Sequence, residues 1–412
     1  MSHKWTSMQV GPRITELSKS TLPAGAAEDI GAYPFFCSSP FVKRINKWIF
    51  DGDAILMGTG GIATLHFGQG RLAYSTDTWA FTVNEKSTHI GFLFRQLEHA
   101  LPKIDYFGFE GSGLKHLQKG FVRNLQFISP PPDQQLVVIH VLNTLDTAIH
   151  QTKAIIEKLK QVKQGLLHDL LTRGVDSNSE MRPSYEKAPE LYQESPLGWI
   201  PKGWEVSSIS DLLADVVPAM RSGPFGSALL KQELVEAGFP FLGIDNVHTE
   251  RFVADYHRFV TRKKFGELAQ YAVRPADLMI TIMGTVGRCC LVPENIGPAL
   301  SSKHTWTITL DQDLYSPYLA MLQINYSPWV LQHFSRDQQG GTMAAIRSET
   351  LRSTLLPVPP RKEQKMIERS LREISRRIEL EEVAVTKIKK EKTGLMEDLI
   401  TGRICVSQLL AQ

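Results

Sequence analysis

The chain contains one phrase twice, and this repeat constrains its fold more than any other feature. KQGLLHDLLTRG begins at Lys163 and KTGLMEDLITGR begins at Lys392, which is 229 positions later in a chain of 412 residues. The residues that recur unchanged are Lys163, Gly165, Leu166, Asp169, Leu170 and Thr172 in the first copy and Lys392, Gly394, Leu395, Asp398, Leu399 and Thr401 in the second. A repeat of such long period indicates an architecture that is itself duplicated.

The same offset continues upstream of the repeated phrase. Pro130 and Gln135 match Pro359 and Gln364, and the apolar positions between the prolines and the phrase coincide in the two copies. These positions are three, four or seven residues apart, which is the a/d pattern of a coiled-coil seam. The seam residues are Leu142, Leu145, Ile149, Ile156, Leu159 and Leu166 in the first copy and Leu371, Ile374, Ile378, Val385, Ile388 and Leu395 in the second.

Each copy is therefore predicted to be a helix of roughly 40 residues, about 60 Å long. Prolines at the start suit the first turn of a helix, and Gly174 and Gly402 lie near the ends, where glycine accepts a left-handed conformation. A globular segment precedes each helix, and the linker between the two halves is short. We therefore expect the helices to pack antiparallel, related by a pseudo-twofold axis.

The segments before the two helices also resemble each other. FDGDAILMGTGG, from Phe50, parallels RPADLMITIMGTVG, from Arg274, and LAYSTDTWAF, from Leu72, parallels ALSSKHTWTI, from Ala299. Short apolar runs broken by Gly, Pro, Asp and Asn indicate mixed α/β domains. We predict an α+β fold with two such domains separated by an antiparallel coiled-coil pair of long helices. The predicted segments are a first domain at 1–130, a helix at 131–174, a linker at 175–195, a second domain at 196–358, a helix at 359–404 and a tail at 405–412.

Composition is that of a globular protein without a membrane segment. The apolar share is 42% and the charged share 22%, and no apolar run approaches the ~18 residues of a membrane helix. The N-terminal stretch lacks the apolar core of a signal peptide, and the four cysteines form no disulfide framework. We expect a cytoplasmic protein. Its net charge of +3 predicts that a partner supplies part of any affinity for nucleic acid.

The chain resembles the specificity subunit of type I restriction–modification systems. The residues that carry the resemblance are the repeated Gly-Leu-x-x-Asp-Leu-x-Thr phrase, the PPRKEQ opening at Pro359 and the LGWIPKGWEV stretch at Leu197. The first domain departs from the pattern, because HKWTSMQV lacks the Ile-Pro-x-Gly-Trp lead-in.

This resemblance implies that each domain is a target recognition domain that reads one half of a split double-stranded DNA sequence. It implies that the helices set the spacing and dock two DNA methyltransferase subunits, and that restriction–translocase subunits join the complex. S-adenosylmethionine, ATP and Mg²⁺ are then expected in those partners, with no cofactor in this chain.

The residues favour a non-catalytic chain. It has no Asn/Asp-Pro-Pro-Tyr/Phe methylation motif and no Gly-x4-Gly-Lys-Ser/Thr phosphate loop. The adjacent Cys289 and Cys290 lack a second Cys/His pair at zinc spacing, so we interpret them as buried thiols. Two other interpretations are a self-contained DNA-modifying enzyme and a coiled-coil interaction scaffold with no role on DNA.

Glycine-rich loops with polar tips are the candidate DNA contacts, because their backbone amides approach phosphates closely and their side chains reach base edges. Arginine reading guanine and asparagine reading adenine would follow the usual pairings. The alternative is that these loops only join strands. The candidates are Lys43, Arg44, Thr59, Ser112, Lys115 and His116 in the first domain and Ser222, Phe225, Ser227, Lys231, Asn246, Thr285, Arg288, Lys303, His304, Thr342 and Arg347 in the second.

Overall fold

A computed structural model of the protein describes residues 5–85, 87–338, 345–404 and 406. The chain divides into two compact units, and each unit contains part of both long helices. The first unit comprises Met1–Ile155 and Glu381–Gln412, and the second comprises Ile156–Leu380.

The first unit is built on two four-stranded sheets, two strand pairs and a helix of 18 residues. Its elements are β1 (Thr6–Gln9), β2 (Ile14–Glu16), β3 (Tyr33–Phe36), β4 (Lys43–Ile45), β5 (Phe50–Asp51), β6 (Ala54–Gly58), β7 (Leu65–Gly68), β8 (Arg71–Tyr74), β9 (Thr78–Val83), α1 (Ile90–Phe107), β10 (Phe109–Glu110), β11 (His116–Leu117), α2 (Lys119–Arg123), β12 (Gln126–Ser129) and the first part of α3 (Pro132–Thr172). The two larger sheets have the strand orders β2-β9-β6-β7 and β4-β3-β8-β5.

The second unit repeats this plan. Its elements are β13 (Tyr192–Ser195), β14 (Gly198–Pro201), β15 (Glu205–Ser208), β16 (Met220–Ser222), β17 (Phe239–Leu242), β18 (Val247–His248), β19 (Arg251–Phe252), β20 (Phe259–Val260), α4 (Arg262–Glu267), β21 (Leu278–Thr281), β22 (Cys289–Leu291), β23 (Leu300–Ser301), β24 (Thr305–Ile308), α5 (Pro317–Tyr326), α6 (Pro328–Gln338), α7 (Ser348–Ser353), β25 (Leu355–Val358) and the first part of α8 (Arg361–Thr401). Its main sheets have the orders β16-β24-β21-β22 and β20-β17-β23.

The order and direction of strand pairing match between the two units. Trp79 of β9 pairs with Met57 of β6, and Trp306 of β24 pairs with Ile280 of β21, in both cases antiparallel. The second sheet of each unit has a parallel central pair, β3 with β8 and β17 with β23, and an antiparallel edge strand. The predicted internal repeat is therefore confirmed in the topology of both units.

A buried glutamine anchors the start of each long helix. The side-chain amide of Gln135 donates to the Pro130 carbonyl at 2.9 Å, and its oxygen accepts the backbone N–H just before α1 at 2.7 Å. Gln364 does the same with the Pro359 carbonyl and the N–H just before α5, both at 2.9 Å. These hydrogen bonds explain why proline and glutamine recur at one offset, since they tie each long helix to the domain before it.

The two long helices, each of 41 residues, run antiparallel as predicted. In the first unit, Leu399 near the end of α8 lies in the same core as Leu142 from the first part of α3. In the second unit, Leu170 near the end of α3 lies in the same core as Leu371 from the first part of α8. Each unit thus joins the beginning of one helix to the end of the other.

Both long helices end next to the glycines, as their positions in the sequence predicted. Gly174 and Gly402 follow the helices with φ of +62° and +72°, the left-handed conformation that closes a helix. A Cβ at Gly174 would lie 2.1 Å from a carboxylate oxygen of Glu363, so a larger residue has no room there.

The lysine of the repeated phrase ties each helix end to acidic side chains of the same unit. Lys163 Nζ donates to both carboxylate oxygens of Glu250 at 2.8 and 2.7 Å in the second unit. Lys392 Nζ lies 3.0 Å from a Glu98 oxygen and 2.6 Å from an Asp146 oxygen in the first. Lys163 and Lys392 lie in the seven-residue gaps of the seam, between Leu159 and Leu166 and between Ile388 and Leu395. Each therefore places an ion pair at a polar position of the seam, one in each unit.

Among the residues that the structure describes, no helix combines the length and the apolar character needed to span a membrane.

Candidate nucleic-acid interface

Three loops of the second unit meet at one end of the sheet β16-β24-β21-β22. Ser222 at the end of β16 pairs with Trp306 near the start of β24, and Thr281 at the end of β21 pairs with Thr305. The loop that joins β21 to β22 leaves from this same end, because adjacent antiparallel strands place an end beside a start. The loops at 223–227, 282–288 and 302–304, here called the second loop edge, therefore lie side by side.

Backbone hydrogen bonds hold the second loop edge together. The Gly223 N–H donates to the Ser302 carbonyl at 3.2 Å, and the Ile282 N–H donates to the His304 carbonyl at 3.0 Å. A Cβ at Gly223 would lie 2.1 Å from the carbonyl oxygen of Ser301, so glycine is what permits this close approach. The Gly-Pro-Phe-Gly-Ser segment is thus fixed against the loop that carries Lys303.

The second loop edge presents polar, cationic and aromatic side chains. Phe225, Ser227, Thr285 and Lys303 are exposed, and Arg288 is half-buried. Exposed Lys231 follows in the short helical turn after the Gly-Pro-Phe-Gly-Ser loop. The arrangement offers a phosphate-binding cation beside side chains that can reach base edges.

His304 is half-buried on the same edge. Burial lowers the pKa of its imidazole, and the positive charges of Lys303 and Arg258 lower that pKa further. The ring is therefore a neutral hydrogen-bonding group at pH 7 in the free chain. Arg258 was not selected from the sequence, because its approach to His304 depends on the pairing of β20 with β17.

Two predicted contacts of the second domain have structural roles instead. Asn246 is buried, its oxygen accepts the Gly243 N–H at 2.9 Å, and its amide donates to the carbonyls of Val253 and Asp255 at 2.8 and 3.1 Å. A side chain so occupied cannot read adenine, and that prediction does not fit its placement. Ser222 is also buried and bonds to the Lys303 carbonyl at 3.4 Å, so it holds the loop.

The remaining two candidates of the second domain do not belong to the three loops. Arg347 is exposed and immediately precedes α7. Thr342 lies outside the described residues.

The first unit has an equivalent edge on the sheet β2-β9-β6-β7. The loops at 17–20, 59–64 and 75–77, here called the first loop edge, leave from the ends that correspond to those in the second unit. The Thr59 N–H donates to the Asp77 carbonyl at 2.9 Å, and the Leu117 N–H donates to the Thr59 carbonyl at 3.0 Å. The structure thus brings Thr59 together with the β10–β11 hairpin, which carries the predicted residues Ser112, Lys115 and His116, all exposed.

The other two candidates of the first unit lie on β4. Lys43 is exposed there. Arg44 is exposed too, but its guanidinium donates to the carbonyls of Gly31 and Ala32 at 2.9 and 3.0 Å. Arg44 therefore holds a turn of its own sheet, and a DNA contact by this residue stays a prediction.

A groove of about 460 Å³ runs beside the first loop edge, lined among others by Lys19, Thr59, Trp79, His116 and Lys119. Lys119 Nζ lies 5.4 Å from the centre of the Trp79 ring, within cation–π range. Sequence reasoning did not select Lys19 or Lys119. A sequence signal for Lys19 exists, because the segment ELSKS stands at the end of β2 as RSGPFGS stands at the end of β16. These two segments share too few residues to be aligned before the strand pairing is known.

The described residues contain no group of three or more His, Cys, Asp or Glu side chains placed to hold a metal ion. Cys289 and Cys290 are buried, and burial raises the pKa of the Cys290 thiol to about 12. Both remain protonated at neutral pH, which agrees with their interpretation as packed thiols.

Sequence comparison identifies a family over most of the chain. The profile of the type I restriction modification DNA specificity domain matches residues 11–161 and 201–390. The EcoDI specificity subunit of a type I restriction enzyme of Escherichia coli is 23% identical over 385 residues, which cover 90% of this chain and 81% of that protein. The MjaVIII specificity subunit of Methanocaldococcus jannaschii is 22% identical over 422 residues, which cover 98% and 94%.

Solved structures share the fold. The S subunit of a type I restriction–modification system from M. genitalium superimposes with a TM-score of 0.63 at 13% identity, over 96% of each chain. A chain from a study of complex assembly and conformational transition in the type I R-M system gives a TM-score of 0.52 at 13% identity, over 98% of this chain and 99% of that one. With the two matched profile segments, these findings show that the chain belongs to the family of type I restriction–modification DNA specificity subunits.

Proposed function

We propose that this chain directs a type I restriction–modification complex to a bipartite, asymmetric DNA target, with each unit reading one half. The observation that carries the proposal is that the first and second loop edges have the same strand topology but different side chains. The MGTVGR loop of one edge corresponds to MGTGGI in the other, and SSKHT corresponds to STDT. Equivalent loops with different tips suit two different half-sites.

The long helices would then keep the two reading edges in a set relation along the duplex. Two-headed DNA readers typically place half-sites about one helical turn, ~34 Å, apart. Helices of 41 residues span about 60 Å at 1.5 Å per residue. The spacer between the half-sites would therefore follow from helix length.

Two DNA methyltransferase subunits would dock on the helices, one at each copy of the repeated phrase. Gly165 and Gly394 are exposed inside the helices, and a Cβ at either position would meet no atom within 4 Å. Glycine inside a helix costs about 1 kcal/mol relative to alanine, and packing within the described part of the chain does not require it. Close approach of a partner backbone explains its presence in both copies.

The chain itself would perform no chemistry. S-adenosylmethionine would be bound by the methyltransferase subunits, and ATP and Mg²⁺ by restriction–translocase subunits that join the complex. The relatives are named specificity subunits of type I restriction enzymes, which supports the non-catalytic role.

The test is to map methylated bases in plasmid DNA from cells that express the chain alone or with a cognate methyltransferase subunit. We expect no methylation from the chain alone and a split, asymmetric methylated motif from the pair. Arg288→Ala should relax one base pair of one half-site, since a well-placed arginine contributes about 1–3 kcal/mol of discrimination. Lys303→Ala should instead weaken binding to all sequences, as loss of a phosphate contact does. A continuous motif, or methylation by the chain alone, would refute the proposal.

A further inference from the structure

Two large aliphatic side chains stand in solvent at the first loop edge. Ile62, in the loop between β6 and β7, is 65% exposed, and Leu114, in the β10–β11 hairpin, is 66% exposed. A Cβ built on Gly60 would lie 3.9 Å from a terminal methyl of Leu114. The tips of the loop and of the hairpin therefore adjoin, and each presents an apolar group.

The backbone beneath these side chains is fixed. The Gly61 N–H donates to the Lys115 carbonyl at 2.9 Å, and the Ala63 N–H donates to an Asp105 carboxylate oxygen at 2.6 Å. Ile62 lies between these two bonded positions, and Leu114 directly precedes Lys115. The two exposed side chains therefore project from a backbone that hydrogen bonds hold in place.

The surroundings favour a DNA base over a protein as the occupant. Thr59, Lys115 and His116 flank the two aliphatic side chains and supply hydroxyl, ammonium and imidazole groups. Two side chains are a small part of the ~800 Å² that a stable protein interface buries on each partner. In the major groove, by contrast, the one apolar group that a base presents is the thymine 5-methyl, which aliphatic side chains contact.

We propose that Ile62 and Leu114 read a thymine in the half-site of the first unit through its 5-methyl group. The inference rests on the proposed function and deepens it, because it names a base and the chemical group by which that base is recognised. Lys115 then neutralises a phosphate beside the same base pair, which sets the depth at which the aliphatic tips enter the groove.

The experiment uses the complex of the chain with its methyltransferase and the duplex motif that methylation mapping returns. Each dT of the first unit's half-site, on either strand, is replaced in turn by dU, which removes the methyl group and keeps the base pair. Fluorescence anisotropy should show a loss of affinity of about fourfold at one position, as expected for one buried methyl group. In the double variant Ile62→Ala with Leu114→Ala, dT and dU at that position should bind equally.

A matched control is Ile30→Ala. Ile30 is also exposed, at 88%, but it lies at the other end of β3 from the first loop edge. Ser38, which follows β3, marks the near end, because its hydroxyl accepts the Thr59 N–H at 3.0 Å; Ile30 precedes the strand. This variant should keep the difference between dT and dU. All three substituted side chains are exposed, and equal thermal unfolding of the variants verifies that folding is intact.

Four results would overturn the inference. The first is sequence-specific methylation without any dU effect in this half-site, and the second is a half-site composed of G·C pairs alone. Either result would leave the proposed function intact but would show that Ile62 and Leu114 do not read a thymine. Loss of methyltransferase assembly in the double variant, with no dU effect, would assign the two side chains to a protein interface. Absence of any sequence-specific methylation would overturn both proposals.

Discussion

At the residue scale, a buried ion pair between Arg221 and Asp277 lies next to the second loop edge. Asp277 and Arg221 are buried, and Arg221 directly precedes Ser222 at the root of the Gly-Pro-Phe-Gly-Ser loop. Thr309 Oγ1 donates to Asp277 at 2.5 Å, and the Arg274 N–H donates to it at 2.6 Å. Burial raises the pKa of Asp277 and lowers that of Arg221, so each charge depends on the other.

Asp277→Asn should destabilise the second unit strongly, because it leaves the Arg221 guanidinium buried without a counter-charge. Breaking a buried pair in this way costs about 3–5 kcal/mol in the free energy of unfolding. Asp245→Asn is the control, since its partner Arg258 and Asp245 itself are partly exposed and such pairs contribute about 0–1 kcal/mol. Denaturant unfolding of the two variants measures the difference, and equal midpoints would contradict it.

His304 makes the stability of the second unit sensitive to acid. Its pKa in the folded chain lies below the 6.5 of a free histidine, so the unfolded chain takes up the proton first as pH falls. Stability from this residue is therefore complete above pH 6.5 and decreases as pH falls toward the lowered pKa. Thermal unfolding at pH 7.5 and 5.5 should show a smaller acid-induced decrease in His304→Gln than in the native chain. Equal acid-induced decreases in the two chains would contradict this role of His304.

At the element scale, substitutions of the exposed glycines in the long helices should affect the stability of the chain and its assembly with the methyltransferase in different ways. Gly165→Ala should stabilise the isolated chain by about 1 kcal/mol, because alanine is the better helix former and space for its Cβ is open. Gly165→Leu should impair methyltransferase binding, because a bulky side chain prevents close approach at that face. Co-purification and thermal unfolding measure the two effects, with the exposed neighbour Gln164→Leu as control. Undiminished co-purification of Gly165→Leu would exclude this face as the docking site.

At the scale of the whole molecule, duplication has placed the same lysine in two different settings. Lys163 pairs with Glu250, which also accepts a hydrogen bond from the Tyr326 hydroxyl at 2.5 Å, whereas Lys392 pairs with Glu98 and Asp146. The lysines are equivalent in the repeat, but each serves its own unit. Damage to one pair should therefore remain local.

Lys163→Met should lower hydrogen-exchange protection in the second unit, and Lys392→Met should lower it in the first. The expected cost is about 1.5–3 kcal/mol, the usual range for hydrogen bonds to a charged group. Exchange followed by mass spectrometry resolves the two units in one experiment. Equal loss of protection in both units from either variant would contradict the local role of each pair.

The long helices and the duplicated domains could be predicted from the sequence because their signals are periodic and local. Seam residues such as Leu142 and Leu371 recur at helical spacing and at one offset, and both are fully buried. The loop between β6 and β7 and its counterpart between β21 and β22 were recognisable because Met-Gly-Thr-x-Gly is shared.

The individual contact residues could not be predicted to the same degree, because their placement depends on non-local pairing. Asn246 looks like a polar loop tip in the sequence, but its loop folds back and satisfies the amide internally. Lys19 reaches the first loop edge only because β2 pairs with β9, more than sixty residues later. The Arg44 guanidinium donates hydrogen bonds to the carbonyls of Gly31 and Ala32, which precede β3.

The glutamine at the start of each long helix has a consequence for substitutions in the domain that precedes it. Gln135 bonds to the carbonyls of Ser87 and Pro130, and Gln364 to those of Leu314 and Pro359. Every polypeptide offers these backbone groups whatever its side chains are. We therefore expect substitutions of Ser87 and Leu314 to leave these four hydrogen bonds in place, so that each long helix keeps its polar anchor when the neighbouring side chains change.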